Sequence, residues 1–332
     1  MEYRTVGKTG IFVSNLCFGT MSFGGNADAE TSKSMFKYCR DTGINFFDTA
    51  DVYSGGRAEE ILGECIAECR NEIVLTSKVF YPTGEGVNDK GLSRRHIINA
   101  AENSLRRLKT DRIEFYFVHA FDDNTPMEET LLALDLLQKQ GKILYPAVSN
   151  WAAWQIAKAL GISAKEQLAR FELIQPMYSL VKRQAEVEIL PLAASEKIGV
   201  ISYSPLGAGL LTGKYGINKR PDQGRLLEEA RYKDRYKDAS DFTFYLVGNV
   251  NLEQMKPMIA KYLGALPSIN RKETFKDNKM YIRKGEYKNE FAKKQETPMA
   301  TIMFLYSGTC KYDLRSNTLL SFLDQALDMV YT

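Results

Sequence analysis

The sequence has 332 residues, of which 44% are hydrophobic and 26% charged, and its net charge is only +3. These ordinary globular values exclude a disordered chain, a collagen-like chain and a bundle of membrane helices, and no apolar run is long enough to predict a membrane-spanning helix. With so little net charge, we expect neither a nucleic acid nor a membrane as a partner.

The cysteine and histidine content argues for a reducing compartment and against a metal site. Residues 1–4 begin no apolar stretch of the kind found in secretion signals, and the five cysteines are an odd number in a long chain. We therefore expect a cytoplasmic protein. Cys65 and Cys69 share one helix face, but the two histidines, His96 and His119, lie elsewhere in the sequence. We expect no metal site, and we place His96 on a helix surface.

The predicted elements begin with a hairpin, in which residues 3–6 and 11–13 flank a Gly-Lys-Thr-Gly turn. After the hairpin, short apolar runs alternate with amphipathic stretches. The predicted strands are residues 16–19, 45–48, 72–77, 114–118, 144–148, 173–175 and 200–203. The predicted helices between them are residues 30–42, 58–69, 93–108, 126–140, 151–160 and 185–197.

This alternation of strand and helix predicts an α/β protein with a parallel sheet and right-handed crossovers. A doubly wound sheet and a (β/α)₈ barrel both satisfy the pattern. A doubly wound dinucleotide-binding fold should carry its glycine signature after the first strand, where none is found. The glycine-rich residues 207–213 follow the seventh strand instead, and their spacing fits neither the dinucleotide signature nor a phosphate loop. A glycine-rich loop at a strand end can still approach a cofactor phosphate.

Four polar residues lie at or just beyond the ends of successive predicted strands: Asp48, Tyr53, Lys78 and His119. In a barrel, these carboxyl-terminal ends meet at one mouth. A tyrosine has a pKa of about 10 and alone is a poor proton donor, but a neighbouring ammonium favours its phenolate. A carboxylate can hold the lysine charged, and an imidazole can orient a carbonyl oxygen or relay a proton. Taken singly, each residue has an ordinary structural explanation, as a cap, a loop aromatic, a surface lysine or a core histidine; together they predict an active site.

The sequence resembles the aldo-keto reductases over about residues 1–238. The resemblance rests on matches in order and spacing at residues 19–21, 47–53, 76–78, 118–119, 148–150, 175 and 203–206. It implies a (β/α)₈ TIM barrel that binds NADPH without a Rossmann domain, with NADH as the alternative cofactor. It further implies that Tyr53 is the general acid, that Lys78 lowers its pKa, that Asp48 supports the lysine, and that His119 places the carbonyl.

The resemblance also implies which residues hold the cofactor. Ser149, Asn150 and Gln175 hold the nicotinamide amide, and Tyr203 stacks on the ring. The remaining implied cofactor-binding residues are Gly19, Thr20, Met21, Ser204, Pro205, Leu206, Gly209 and Lys214. For Phe80, Tyr81, Phe121 and Trp151, a place in the wall of the substrate pocket and ordinary packing are equally expected.

The family pattern fails after about residue 238. Residues 232–332 instead resemble part of a pitrilysin/insulinase-type peptidase domain, without the His-x-x-Glu-His zinc motif of that family. We therefore expect a chimera, with a reductase-like barrel over residues 1–238 and an α+β peptidase-like fragment over residues 239–332. The segment that normally reads the adenosine 2′-phosphate is not recognisable in it.

Around and after the junction, the sequence predicts a helix at residues 225–237, a strand at residues 242–247 and a helix at residues 251–263. The barrel is accordingly either incomplete, with an α+β appendage, or closed by residues 242–247 as a non-native eighth strand. An unclosed barrel would leave sheet edges unpaired.

The function expected from the sequence is reduction of a small aldehyde or ketone by an NADP(H)-dependent oxidoreductase. The alternatives are a nicotinamide-binding regulatory protein with impaired catalysis and a chimera without function. The oligomeric state and the identity of the carbonyl substrate stay open.

Overall fold

The computed structural model describes residues 1–214 and 251–262. The chain divides into two compact units, Met1–Asn270 and Arg271–Thr332, and all of the described residues belong to the first. The predicted helix at residues 225–237 and the candidate eighth strand at residues 242–247 lie outside the described residues. No helix within the described ranges is long and apolar enough to cross a membrane.

A short antiparallel hairpin precedes a parallel sheet. The hairpin pairs β1 (Tyr3–Thr5) with β2 (Phe12–Ser14). In the part of the chain that the structure describes, the sheet has seven strands in sequential order, which are β3 (Cys17–Gly19), β4 (Phe46–Asp48), β5 (Val74–Val79), β6 (Ile113–Val118), β7 (Ile143–Ser149), β8 (Leu173–Gln175) and β9 (Gly199–Val200). This sequential parallel order with helical crossovers is that of an incomplete (β/α)₈ barrel, as the sequence predicts.

Helices form the crossovers between these strands. They are α1 (Ala29–Asp41), α2 (Arg57–Ile66), α3 (Arg94–Leu108), α4 (Met127–Lys139), α5 (Ala153–Glu166) and α6 (Ile189–Glu196), and α7 (Leu252–Tyr262) follows later in the chain. Three of them are preceded by a residue whose side chain accepts a hydrogen bond from a backbone N–H of the first turn; for α7 this is Asn251, whose Oδ1 accepts from Glu253 N over 3.0 Å. Thr31 N donates to Asp28 Oδ1 over 2.8 Å, and His96 N donates to Ser93 Oγ over 3.3 Å.

The core has two layers because side chains alternate across the strands. In β6, Tyr116 and Val118 face the helices, whereas Phe115 and Phe117 belong to the cluster inside the curled sheet. Val6 and Val13 of the hairpin are buried in the same inner cluster. The hairpin therefore packs against the interior of the half-barrel, and every second side chain of a strand points towards that interior.

The placement of His96 is a correction to the sequence analysis. We expected this residue on a helix surface, but it is only 4% exposed and lies on the buried face of α3. Burial lowers the pKa of its imidazole, with a smaller opposing effect from Asp89. The polar residue type suggested the outer face, but His96 lies four residues before Ala100 and eight before Ser104, on the stripe of α3 that is buried.

Candidate active site

The centre of the site is a buried ion pair between neighbouring strands. Lys78 lies within β5, fully buried, and Asp48 ends β4 at 7% exposure. The ammonium Nζ donates to both carboxylate oxygens of Asp48, at 2.7 and 2.6 Å, and to the backbone oxygen of Thr49 at 2.8 Å. Burial alone would lower the pKa of Lys78, but the Asp48 carboxylate and, after it, Tyr53 together more than offset this, so the pKa lies above its ordinary value. The lysine is therefore held charged.

Two further donors fix the Asp48 carboxylate. Thr76, which pairs beside Asp48 in the sheet, donates its hydroxyl to Oδ1 over 2.6 Å. The side-chain amide of Gln175 reaches the same oxygen from β8 over 3.1 Å. From the sequence, Thr76 has no predicted role in the site, and Gln175 is predicted only to hold the cofactor. Both contacts depend on which residues of different strands lie opposite each other, and the pattern of apolar residues within one strand does not reveal this.

Tyr53 lies on the loop after β4, with its hydroxyl close to the ammonium. The Lys78 Nζ is 3.4 Å from the Tyr53 hydroxyl and 5.0 Å from the centre of its ring. The Tyr53 N–H donates to the Ala50 carbonyl over 3.2 Å, and the Asp51 N–H donates to the Lys78 carbonyl over 3.3 Å. The loop is thus bonded to the strand that carries the lysine.

His119 directly follows β6 and completes the group of four. Its ring is 6.0 Å from that of Tyr53 and 5.0 Å from that of Tyr81, edge-on in both pairs. The structure therefore brings Asp48, Tyr53, Lys78 and His119 together at the carboxyl ends of β4, β5 and β6.

The polar residues at the next strand ends form a hydrogen-bonded chain. The Asn150 amide donates to the His119 carbonyl over 2.9 Å and to the Ser149 hydroxyl over 3.0 Å. Ser149 donates to the backbone oxygen of Gln175 over 2.9 Å, and the Tyr203 hydroxyl donates to Asn150 Oδ1 over 2.8 Å. Asn150 has a φ of 59°, a backbone conformation that asparagine tolerates better than most residues. This chain links the ends of β6, β7 and β8 to Tyr203.

A cavity of about 1250 Å³ opens over these residues. It exceeds the range of about 300–1000 Å³ that is usual for small-molecule sites, so it has room for an extended ligand. Three of the predicted catalytic residues and all but one of the predicted cofactor residues line it: Asp48, Tyr53, His119, Gly19, Met21, Ser149, Asn150, Gln175, Tyr203, Ser204, Pro205, Leu206, Gly209 and Lys214.

Two predicted site residues lie behind the cavity wall. Lys78 is fully buried and reaches the cavity only through its partners Asp48 and Tyr53. Thr20 is also fully buried, and its hydroxyl donates to the Asp48 backbone oxygen over 3.1 Å. Thr20 therefore supports the end of β4 rather than lining the space above it.

The cavity wall also contains residues that the sequence analysis did not select, namely Ser22, Val52, Ser54, Pro82 and Ala208. All of them are within a few residues of a predicted site residue, which is the only signal that the sequence offers. Among the aromatic candidates, Tyr81 lines this cavity and Trp151 lines a neighbouring one of about 500 Å³. Phe80 packs edge-on against Tyr81, and Phe121 does the same against Trp151.

The glycine-rich loop after β9 forms one side of the cavity. Gly207, Ala208 and Gly209 all have positive φ values, of 55°, 55° and 99°. Glycine adopts this conformation at little cost, and it lets the backbone turn tightly towards a ligand. The loop lies in contact with the cavity through Ala208 and Gly209. Within residues 1–214 and 251–262, no group of His, Cys, Asp and Glu side chains could hold a metal ion.

Comparison with known proteins identifies several similar chains. The chain is 41% identical to a probable voltage-gated potassium channel subunit beta of Arabidopsis thaliana over 239 residues, which cover 70% of this chain and 72% of the relative. A protein of the same description from Oryza sativa subsp. japonica is 38% identical over the same lengths. The uncharacterized oxidoreductase YrpG of Bacillus subtilis (strain 168) is 40% identical over 225 residues, or 64% of this chain and 69% of the relative.

A family model matches a still longer part of the chain. The match covers residues 15–300 and continues past residue 238, where the sequence analysis expected the pattern to end. The matched range includes every strand of the parallel sheet and all residues of the cavity described above. The chain belongs to the aldo/keto reductase family.

Proposed function

We propose that the protein reduces an aldehyde or a ketone with NADPH, using Tyr53 as the proton donor. The observation that carries this proposal is the arrangement of Tyr53 and Lys78, whose ammonium is buried 3.4 Å from the tyrosine hydroxyl and locked onto Asp48. When bound, the nicotinamide cofactor supplies the hydride. Tyr53 donates its proton to the carbonyl oxygen, and the ammonium of Lys78 stabilises the phenolate left behind.

The surrounding residues suit the positioning that this reaction needs. His119 lies beside Tyr53 at the cavity wall, where its imidazole can orient the carbonyl oxygen. The side chains of Ser149, Asn150 and Gln175 offer polar groups for the nicotinamide amide, and the ring of Tyr203 offers a surface for stacking. The glycine-rich loop and Lys214 supply backbone and positive charge for the phosphates.

A turnover assay with a matched pair of variants tests this proposal. The full-length protein is mixed with NADPH and a panel of aldehydes and ketones, and oxidation of NADPH is followed by absorbance. We expect Tyr53→Phe to lower kcat by at least about 100-fold, because the proton donor is lost. The control is Tyr38→Phe, since Tyr38 is 71% exposed on α1 and should leave kcat unchanged. Turnover that survives Tyr53→Phe would contradict the assignment.

A second candidate function is that of a nicotinamide-binding regulatory subunit. It is favoured by the two relatives described as probable voltage-gated potassium channel beta subunits. In this case the protein would bind NADPH in the same cavity but turn it over only slowly. Titration with NADPH and NADH, followed by quenching of protein fluorescence, separates the two functions when combined with the turnover assay. Saturable NADPH binding with no turnover supports regulation, whereas turnover supports the reductase.

We also propose that residues 239–332 form a fragment distinct from the reductase, as suggested by their resemblance to part of a pitrilysin/insulinase-type peptidase domain, whose zinc motif they lack. The family match through residue 300 favours the opposite view, that this segment is reductase throughout its first part. Limited proteolysis of the full chain decides between the two. A stable product ending near residue 238 that still binds NADPH supports a fragment, and loss of binding upon that cleavage contradicts it.

A further inference from the structure

A cluster of buried charged groups lies behind the catalytic residues. Asp51 belongs to the loop that carries Tyr53 and is only 2% exposed. Its carboxyl interacts electrostatically with Glu59 of α2, Arg107 of α3 and Lys78 of β5, and with the Tyr116 hydroxyl of β6. The proposed mechanism uses none of the groups facing Asp51 except Lys78.

The single guanidinium of this cluster is already engaged by the other carboxylate. Glu59 is fully buried and accepts a hydrogen bond from Arg107 Nε over 2.7 Å and a second one from the Ser77 hydroxyl. Arg107 Nη2 lies 3.4 Å from the Ser104 hydroxyl. Lys78 is bonded to Asp48 and Arg107 to Glu59, so each of the two positive groups near Asp51 pairs with a different carboxylate.

Asp51 has no comparable partner. Among the described residues, no side chain hydrogen-bonds to either of its carboxyl oxygens, and the Tyr116 hydroxyl is likewise without a partner. Burial, and then the negative charge of Glu59, raise the pKa of Asp51 to about 8, against the opposing effects of Arg107, the Val52 N–H and Lys78. A buried carboxyl group without a counter-ion is stable mainly in its neutral form.

We propose that Asp51 is a positioning residue that works as an uncharged carboxylic acid, holding the loop of Tyr53 against the strand of Lys78. The inference rests on the proposed function, because Tyr53 and Lys78 are its reacting pair.

The loop geometry explains how ionisation of Asp51 would reach the catalytic residues. The Asp51 N–H is bonded to the Lys78 carbonyl, and two residues later the Tyr53 N–H is bonded to the Ala50 carbonyl. A neutral side chain can stay buried behind these bonds, because it is not repelled by the Glu59 carboxylate. An ionised one is repelled by Glu59 and drawn towards water, and the same short loop carries both residues. Its negative charge also opposes formation of the Tyr53 phenolate.

Two variants and one direct measurement test this inference. Asp51→Asn keeps the shape of the neutral acid but cannot ionise. The control is Asp135→Asn on α4, where the replaced carboxylate is buried but bonded to the Ala169 N–H and to Lys139. For each protein, kcat with NADPH and one aldehyde is measured from pH 6 to pH 9.5, and hydrogen exchange of the peptide covering residues 49–53 is measured by mass spectrometry.

We expect the ratio of kcat in Asp51→Asn to kcat in the wild type to rise about tenfold between pH 7 and pH 9, because about nine-tenths of Asp51 is ionised one unit above a pKa of 8. After correction for the intrinsic pH dependence of exchange, protection of residues 49–53 should fall over the same range in the wild type and in Asp135→Asn, but not in Asp51→Asn. Equal pH profiles for Asp51→Asn and the wild type would overturn the assignment.

Hydrogen exchange keeps the test independent of catalysis. If no carbonyl compound is reduced, the proposed function fails, while the exchange data still decide whether ionisation of Asp51 loosens the loop. If Asp51→Asn does not fold, hydrogen exchange of the wild type alone tests the proposal. Protection of residues 49–53 that falls above pH 8 supports it, and unchanged protection contradicts it.

Discussion

The Asp48–Lys78 pair should show a large coupling energy in a double-mutant cycle. Lys78 is fully buried, Asp48 is 7% exposed, and their atoms approach to 2.6 Å. Removing one partner of such a pair leaves a buried charge uncompensated and costs about 3–5 kcal/mol of unfolding free energy. Asp48→Asn and Lys78→Met should therefore each be strongly destabilising, whereas the double variant should be little worse than either one. The resulting coupling energy is about 2–4 kcal/mol.

Urea denaturation at pH 7 measures this coupling, provided that the dependence on denaturant is the same for all four proteins. The matched control is the ion pair of Lys37 and Asp41, which lie one turn apart on α1 at 2.8 Å with side chains 75% and 60% exposed. Its cycle should give no more than about 0.5 kcal/mol. If the Asp48–Lys78 cycle is additive within about 0.5 kcal/mol, the claim that the aspartate holds the lysine charged is refuted.

Three further predictions concern the loop, the cavity and the helix packing. The free energy of unfolding should decrease by up to about 5 kcal/mol as pH rises from about 4 to 8, because folded Asp51 keeps a proton that the unfolded chain has lost. Urea denaturation of Asp51→Asn at each pH should show no such decrease, and an equal decrease in the variant would refute the prediction. Tyr203→Phe should raise the Kd for NADPH about 2- to 10-fold, since the bond that orients its ring to Asn150 is lost, and an unchanged Kd in fluorescence titration would refute this role. Gly63→Ala should lower the free energy of unfolding by about 1–3 kcal/mol, because the added Cβ would lie 2.7 Å from the backbone at the end of α3. The control is Gly161→Ala, where the added Cβ meets no atom within 4 Å, and this variant should raise the thermal midpoint.

The order of the elements could be predicted from the sequence because apolar runs and amphipathic stretches alternate so regularly. The strand at Leu173–Gln175 begins and ends as predicted, and most other strand ends lie within two residues of the prediction. The last strand is an exception, since residues 200–203 were predicted and Gly199–Val200 is found. Beyond it, the β-pairing of Tyr203 is an isolated bridge to Met177, and a single bridge produces no alternating pattern in the sequence.

The clustering of the four catalytic candidates could likewise be predicted, since side chains at the carboxyl ends of parallel strands share one edge of a sheet. What could not be predicted is which donor reaches which acceptor. Gln175 reaches Asp48 from a strand that is remote in sequence. Nor does the sequence indicate that Asp51 is buried with no side-chain hydrogen bond from the described residues, because this depends on how α2 and α3 pack behind the loop.

The most direct test of the account is a single turnover of bound NADPH. Wild-type protein and Tyr53→Phe are first titrated with NADPH, and each complex is then mixed rapidly with an aldehyde that the wild type accepts while absorbance of the cofactor is followed. Both proteins should bind NADPH with similar Kd values, and only the wild type should oxidise it, with a rate at least about 100-fold above that of the variant. Equal rates for the two complexes, or a cavity that binds no NADPH, would contradict the claim that this site is a reductase centre with Tyr53 as its acid.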